Sequence, residues 1–435
     1  MSGASTGREK RWQAMIGLAR GCFSAPSYEI FSSLLTGWVL APGRRTITGM
    51  ICAGDPESRR AHDAYHRFFR AARWSTKELW RVLVVHMVAL LCPAGAVPLD
   101  LDDTLYKKSG RKIDGAGTFR DAVRSTRHKV VYATGLNLVV VTLRVTPPWG
   151  GMPIGVPVGV RLHRKGGPRT TELAAEILAE LAGWLPERSF SLCADGAYAT
   201  LAGRRLPRTT VTSRMCRDAA LFEPAPPRTG RRGRPRTKGA RLATPAAMAG
   251  ELANDAFGAV AVAWSGRTKE LLVFNAPVLW YAVDKKRLVL LVIVRDPDGL
   301  MHDDFFFTTD LDAAPGDVAS TYAGRWSIEC VNREVKQCLG AEDPQSWRGQ
   351  GPERAASVSL WLYAAIWTWY IPTVGTTVSW IPRPWYPKKA TPSFLDALAS
   401  LRRVLWAART TPASSDEPLP RKILDGLLDA LATAV

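Results

Sequence analysis

"YAGRWSIECVNREVKQCLG", Tyr322 to Gly340, mixes charged and aromatic residues in a stretch with helical spacing. At about 100° per residue, Tyr322, Arg325, Glu329 and Lys336 fall within roughly 60° of arc. Trp326 and Arg333 join that stripe, while Ile328, Val331, Val335, Cys338 and Leu339 gather on the opposite side. One face is therefore built to pack and the other to present chemistry. The plainer reading is a solvated face stitched by the pairs Arg325 with Glu329 and Glu329 with Arg333, each contributing about 0.2–0.5 kcal/mol.

Upstream, the apolar pattern predicts strands at "VPLDLDD" (97–103), "VVYATGLNLVVVTLRV" (130–145) and "MPIGVPVGVRL" (152–162). A helix at "TTELAAEILAELAGWL" (170–185) and a short strand at "SFSLCADG" (189–196) follow. Three strands, a helix and a strand indicate an α/β domain with a mixed sheet. Such sheets place ligand sites beyond the carboxyl ends of their strands, and two carboxylates stand there: Asp103 in "LDLDDTLYKKSG" and Asp195 in "LCADGAY". With Glu329 they form a set of hard oxygen ligands suited to Mg²⁺ or Mn²⁺. Three gathered acids repel one another unless a cation neutralises them, and a two-ion site of this kind cuts phosphodiesters. Within "DLDDT", Asp103 is the expected ligand, with Asp102 and Asp100 as alternatives.

The charge balance suits the same substrate. The chain of 435 residues carries 58 lysines and arginines against 39 acids, a net charge of +19. Twelve basic residues and two acids, Asp218 and Glu223, lie between Gly203 and Gly250. A surplus of this size favours a densely anionic partner, with nucleic acid foremost.

At these residues the sequence resembles the DDE transposases of bacterial insertion sequences, the group typified by insertion sequence four. Tyr322-x2-Arg325-x3-Glu329-x6-Lys336 matches that group's Y-x2-R-x3-E-x6-K signature, and "DDT", "DGAY" and "RGRPR" also look like it. The resemblance covers about Val97 to Tyr370. It implies a ribonuclease-H-like fold in which Asp103, Asp195 and Glu329 hold two Mg²⁺ or Mn²⁺ ions. It also implies that Tyr322, Arg325 and Lys336 contact phosphates, and that a β-strand insertion separates the second Asp from the Glu. Trp264 and Trp280 are candidates for stacking on a flipped base. "GRRGRPR" is similar to an Arg-Gly-Arg-Pro element that enters narrow A·T minor grooves, which makes Arg231, Arg232, Arg234, Arg236 and Lys238 expected DNA contacts. The alternative is a basic loop gripping phosphates without selectivity. Trp326 and Arg333, on the active stripe, are expected contacts too. For Arg120, Arg124 and Arg127 a solvated face is the simpler expectation. Double-stranded DNA is the implied partner, bound by a homodimer that pairs two element ends in the bacterial cytoplasm, at the nucleoid.

The expected organisation is a helical region at 1–95, a catalytic core at 96–205 and 313–375, a basic loop with β-strand insertion at 206–312, and a helical region at 376–435. The first region would bind DNA ends and the last would dimerise. Two uncharged runs, Val82 to Leu99 and Ala355 to Ile371, fall short of about 20 residues and read as buried core, not membrane spans. No secretion signal is evident at the N-terminus. Seven dispersed cysteines form no C-x-x-C pair, which argues against a zinc cluster or a disulfide framework and for a reducing cytoplasm. His62 and His66 read as ordinary helix residues.

Two rivals remain. "LDLDDTL" also matches the D-x-D-x-T opening of haloacid-dehalogenase-like phosphatases, with Asp100 as nucleophile and Asp102 as acid/base. The other is a catalytically silent DNA-binding regulator derived from a transposase.

Overall fold

The computed structural model of the protein describes residues 2–434, apart from positions 122, 127, 228–235, 265, 266, 383 and 411–420, with backbone only at 2–6 and 421. Arg127, Arg231, Arg232 and Arg234 therefore lie outside the described residues. Five helices lead the chain: α1 (Ser2–Gly17), α2 (Ala25–Leu40), α3 (Ile47–Gly54), α4 (His62–Arg70) and α5 (Thr76–Leu91). The strands and helices of the core follow as β1 (Val97–Lys107), β2 (Gly117–Arg120), β3 (Tyr132–Val145), β4 (Ile154–His163), α6 (Thr170–Trp184), β5 (Phe190–Ala194) and β6 (Thr209–Arg214). Beyond α7 (Pro245–Glu251) come β7 (Gly258–Trp264), β8 (Arg267–Val278), β9 (Val289–Arg295) and β10 (Asp304–Thr308). The chain closes with α8 (Pro315–Gly324), α9 (Trp326–Gln337), α10 (Gly351–Val374), α11 (Phe394–Thr410) and α12 (Arg421–Thr433).

All ten strands join one sheet in the order β2-β3-β1-β5-β6-β10-β9-β8-β7, with β4 also paired to β3. Strands β1, β5 and β6 run parallel, whereas β3 is antiparallel to β1 and to β4. The run β4-β3-β1-β5-β6, with helices on both faces, fits a ribonuclease-H-like fold. The strands expected as an insertion do form, but they extend this same sheet: β10 pairs antiparallel with both β6 and β9. Backbone ladders leave no gap between core and insertion, because β6 would otherwise present an open edge.

The expected helix through Tyr322 is interrupted. Helix α8 stops at Gly324, Arg325 forms the joint, and α9 starts at Trp326. The Arg144 guanidinium lies 2.9 Å from where a Cβ on Gly324 would stand, so Gly324 leaves room for it. Tyr322 packs against Phe306 of β10, with ring centroids 4.5 Å apart and the rings tilted by 33°.

Packing seats the acidic helix on the core. Ile328, Val331 and Val335 of α9 are fully buried, as its apolar stripe requires. Behind it α10 is buried at every position from Gly351 to Ile371 except Glu353, so the uncharged run there is core. Among the described residues no helix is long and apolar enough to cross a membrane. Indole donors tie the leading helices to this core: Trp38 Nε1 donates to the Leu339 carbonyl at 2.7 Å, Trp80 Nε1 to Ser357 Oγ at 3.0 Å, and Trp361 Nε1 to the Leu79 carbonyl at 3.0 Å. One hydrophobic cluster runs from Trp12 through the sheet to Leu405.

The approach of α9 to β4 depends on Gly155, where an added Cβ would stand 2.8 Å from Val331 Cγ2 and 3.0 Å from the Ser327 carbonyl. Gly155→Ala is expected to destabilise the fold by about 1–3 kcal/mol in urea unfolding through overpacking. Gly183→Ala in α6, where nothing lies within 4 Å, is expected to be neutral or to stabilise by up to about 1 kcal/mol.

Candidate active site

Strand alternation decides which acids meet. Successive side chains of β1 point to opposite faces, and the contacts identify each face. Asp100 accepts a hydrogen bond from Ser327 Oγ of α9 at 2.9 Å, and Asp102 faces Asn332 Nδ2 of α9 at 3.5 Å. Asp103 looks the other way, toward the short 3₁₀ helix after β5, where Tyr198 Oη donates to its Oδ1 at 3.3 Å. The expected first ligand, Asp103, is thus turned from Glu329, and its neighbour Asp102 shares the α9 side. Asp103 still touches the site through its backbone, whose N–H donates to Asp102 Oδ1 at 2.9 Å.

Asp195 follows the parallel pairing of β5 with β1, in which Cys193 is level with Asp100 and Ala194 with Leu101. The next step brings Asp195 level with Asp102 and on the same face, at the carboxyl end of both strands. Its Oδ1 accepts the Ala197 N–H at 2.9 Å and its carbonyl accepts Ser213 Oγ at 2.8 Å, which fix it at the N-terminus of the 3₁₀ helix. Glu329, in the first turn of α9, completes the face.

Beneath the acids lies an ion pair absent from the sequence reading. Asp100 is fully buried, and Arg144 of β3 holds it with Nε donating to Oδ2 at 3.0 Å and a second contact from its terminal nitrogen to Oδ1. With Ser327 this pair links β1, β3 and α9 two residues before Glu329. A carboxylate so enclosed has no access to a substrate, which removes Asp100 as a phosphatase nucleophile.

The electrostatics are those of crowded like charges. Burial pushes the Asp102 carboxyl up to about 7, with Arg325 opposing the rise and Asp103 and Asp195 adding to it. Asp103 is shifted upward as well, by lost hydration and then by Asp195, against hydrogen bonds from Asn137 and Tyr198. Arg325 sits among these acids: its Nη2 donates to Glu329 Oε1 at 2.8 Å and its Nη1 is 4.0 Å from Asp102 Oδ2. Lys336 is also near, with its pKa lowered by burial while Glu342, Asp121 and Asp102 pull against that shift. Trp326 and Arg333 are exposed.

Other expected contacts divide. Arg236 is exposed, whereas Lys238 is half-buried and its ammonium lies 3.7 Å from the centroid of the Phe222 ring. Trp280 is buried edge-on against Phe307, so it offers no open face for a base, and Trp264 is half-buried beside a small cluster under α8. His62 and His66 pack ring against ring on α4, away from the acids.

The donor set is chemically right for a hard divalent cation: three carboxylates, Asp102, Asp195 and Glu329, on one side of the sheet, one of them already disfavoured as an anion. Among the described residues no three His, Cys, Asp or Glu side chains converge closely enough to hold one ion. The guanidinium of Arg325 occupies the space between Asp102 and Glu329 instead.

Two tests follow from this geometry. Arg144→Met leaves Asp100 buried without its partner and should cost about 3–5 kcal/mol in denaturant unfolding, while Asp100→Asn combined with Arg144→Met should recover much of that loss. For Asp102, the unfolded carboxyl titrates near 3.8 and the folded one near 7. Between these values the native state keeps a proton that the unfolded chain has lost, so metal-free stability falls as pH rises through that window. Asp102→Asn should flatten that part of the thermal stability curve, leaving the smaller contribution of Asp103.

Two known families match the chain. The family described as DDE superfamily endonuclease matches residues 22–271, and the one described as archaeal putative transposase ISC1217 matches residues 274–348. No curated protein matches the chain. The first match spans more than half of the sequence and carries both strand-borne acids, and the second carries Glu329 and its helix: the chain belongs to the DDE superfamily endonucleases, a family of transposase-type enzymes.

Proposed function

We propose that the protein is a DNA transposase of the insertion-sequence-four-like group, which binds the terminal inverted repeats of its element, cleaves them and joins the freed 3′ ends to target DNA. The observation that carries this reading is the shared face of Asp102, Asp195 and Glu329, three acids from β1, the end of β5 and α9, at the carboxyl edge of a ribonuclease-H-like sheet. Asp102 takes the place expected of Asp103, because alternation along β1 sets Asp103 on the far side.

Two Mg²⁺ or Mn²⁺ ions held by these acids would activate a water or 3′-hydroxyl and stabilise the leaving oxygen of the phosphodiester. The chain's own residues supply the rest. Arg325, Arg333 and Lys336 grip phosphates at the cleaved end, with Tyr322 and Trp326 packing against the nucleotide. Arg231, Arg232, Arg234, Arg236 and Lys238 contact the duplex. Asp100, Arg144 and Ser327 hold α9 in register with β1, so Glu329 stays opposite the strand acids. The regions 1–95 and 376–435 bind ends and pair two protomers, since two ends must be cut together. A protein acting on bacterial DNA in this way works in the cytoplasm, at the nucleoid. A regulator without cleavage is the second reading, and the same assay separates it.

The assay uses labelled DNA carrying the inverted repeats that flank the gene, with Mg²⁺ or Mn²⁺. Wild type should cut at the element boundary, and Asp102→Asn should fall to background. Asp103→Asn, which keeps the backbone N–H, should lose at most about 100-fold, as an outer-sphere substitution does. The reverse ranking would return the ligand role to Asp103, and binding without cutting by wild type would favour the regulator.

A further inference from the structure

A cation already lies among the acids. Arg325 contacts Glu329 at 2.8 Å and stands 4.0 Å from Asp102, bridging two of the three carboxylates assigned above to the metal. Its side chain is only 12% exposed, and its Nε is buried without a hydrogen-bond partner. The residue occupies the joint between α8 and α9, outside the regular turns of either helix. Tyr322 lies alongside, 5.5 Å from ring centroid to guanidinium.

We propose that Arg325 is the resident counter-ion of the acid cluster, and that a DNA phosphate, by drawing its guanidinium away, frees Glu329 and Asp102 to receive the divalent cation. This rests on the metal-dependent reading given above. The exchange follows from charge and geometry. With Arg325 in place, Glu329 is neutralised by a charge-assisted hydrogen bond, and a divalent ion would have to enter beside a fixed positive charge. A phosphate offers the guanidinium two oxygens in the fork geometry that it prefers, including a partner for the unused Nε–H. Once Arg325 has turned to the phosphate, the carboxylates repel one another and a divalent cation relieves that repulsion. Metal and DNA binding are then positively coupled, and the coupling acts equally in both directions. Metal-dependent chemistry is thereby withheld until DNA is seated.

The test reads metal binding directly. Free Mn²⁺ is followed by electron paramagnetic resonance during titration of the full chain, with and without a duplex carrying the inverted repeat, and duplex alone is subtracted. Wild type should bind Mn²⁺ weakly without DNA and about tenfold more tightly with it, within the usual range of coupling between sites. Arg325→Gln should bind Mn²⁺ about tenfold more tightly than wild type without DNA, and adding duplex should change little. Arg164→Gln removes a positive charge that pairs with Glu353 and touches none of the three acids, so it should keep the DNA-dependent gain. Equal Mn²⁺ affinity of wild type with and without DNA would overturn the exchange while leaving the metal site standing. So would identical behaviour of the two variants. Failure of every form to bind Mn²⁺, with DNA or without, would overturn the metal site itself.

Discussion

The buried pair of Asp100 and Arg144 is the interaction on which the candidate site depends. It joins β1 to β3, and through Ser327 it fixes the start of α9 against the same strand. Burying two charges is costly, and attraction offsets that cost only when the geometry is good and the remaining lone pairs are used. Here the carboxylate takes two contacts from Arg144 and one from Ser327. Gly324 and Gly155 make the arrangement possible, since a Cβ on either would enter the space of Arg144 or of α9. Helix α9 is thus located by a polar lock below the acids and by an apolar stripe, Ile328, Val331 and Val335, along its length.

Above that lock the site is electrostatically incomplete. Burial, then Asp103 and Asp195, oppose the ionisation of Asp102, burial and Asp195 oppose that of Asp103, and Arg325 contacts Glu329 beside Asp102. The positive charge found among these acids is the guanidinium of Arg325, in contact with Glu329 and 4.0 Å from Asp102. The chain as a whole carries a net charge of +19, a surplus that favours a polyanionic partner.

Much of this was legible in the sequence. Alternation revealed β1, β3 and β4, and helical spacing revealed the buried and exposed sides of α9, because both periods are imposed locally. The edge strand β2 is too short to carry a pattern. The continuity of the sheet through β10 was hidden because Phe306 pairs with Arg214 across a long intervening segment. The break at Arg325 was equally hidden, beside a Gly324 that leaves room for Arg144, far away in sequence. The choice between Asp102 and Asp103 was half visible: alternation already divides Asp100 and Asp102 from Leu99, Leu101 and Asp103. Which of those faces meets α9 is a tertiary fact.

The central claim is that Asp102, Asp195 and Glu329 surround one metal-binding space once DNA is bound. The most direct measurement is affinity cleavage, in which Fe²⁺ replaces the native ion and ascorbate with peroxide generates radicals that cut the nearby backbone. The account predicts cuts near residues 102, 195 and 329 together, enhanced by duplex and suppressed by excess Mg²⁺. Cuts at only one of these positions, or at sites elsewhere that Mg²⁺ does not suppress, would contradict it.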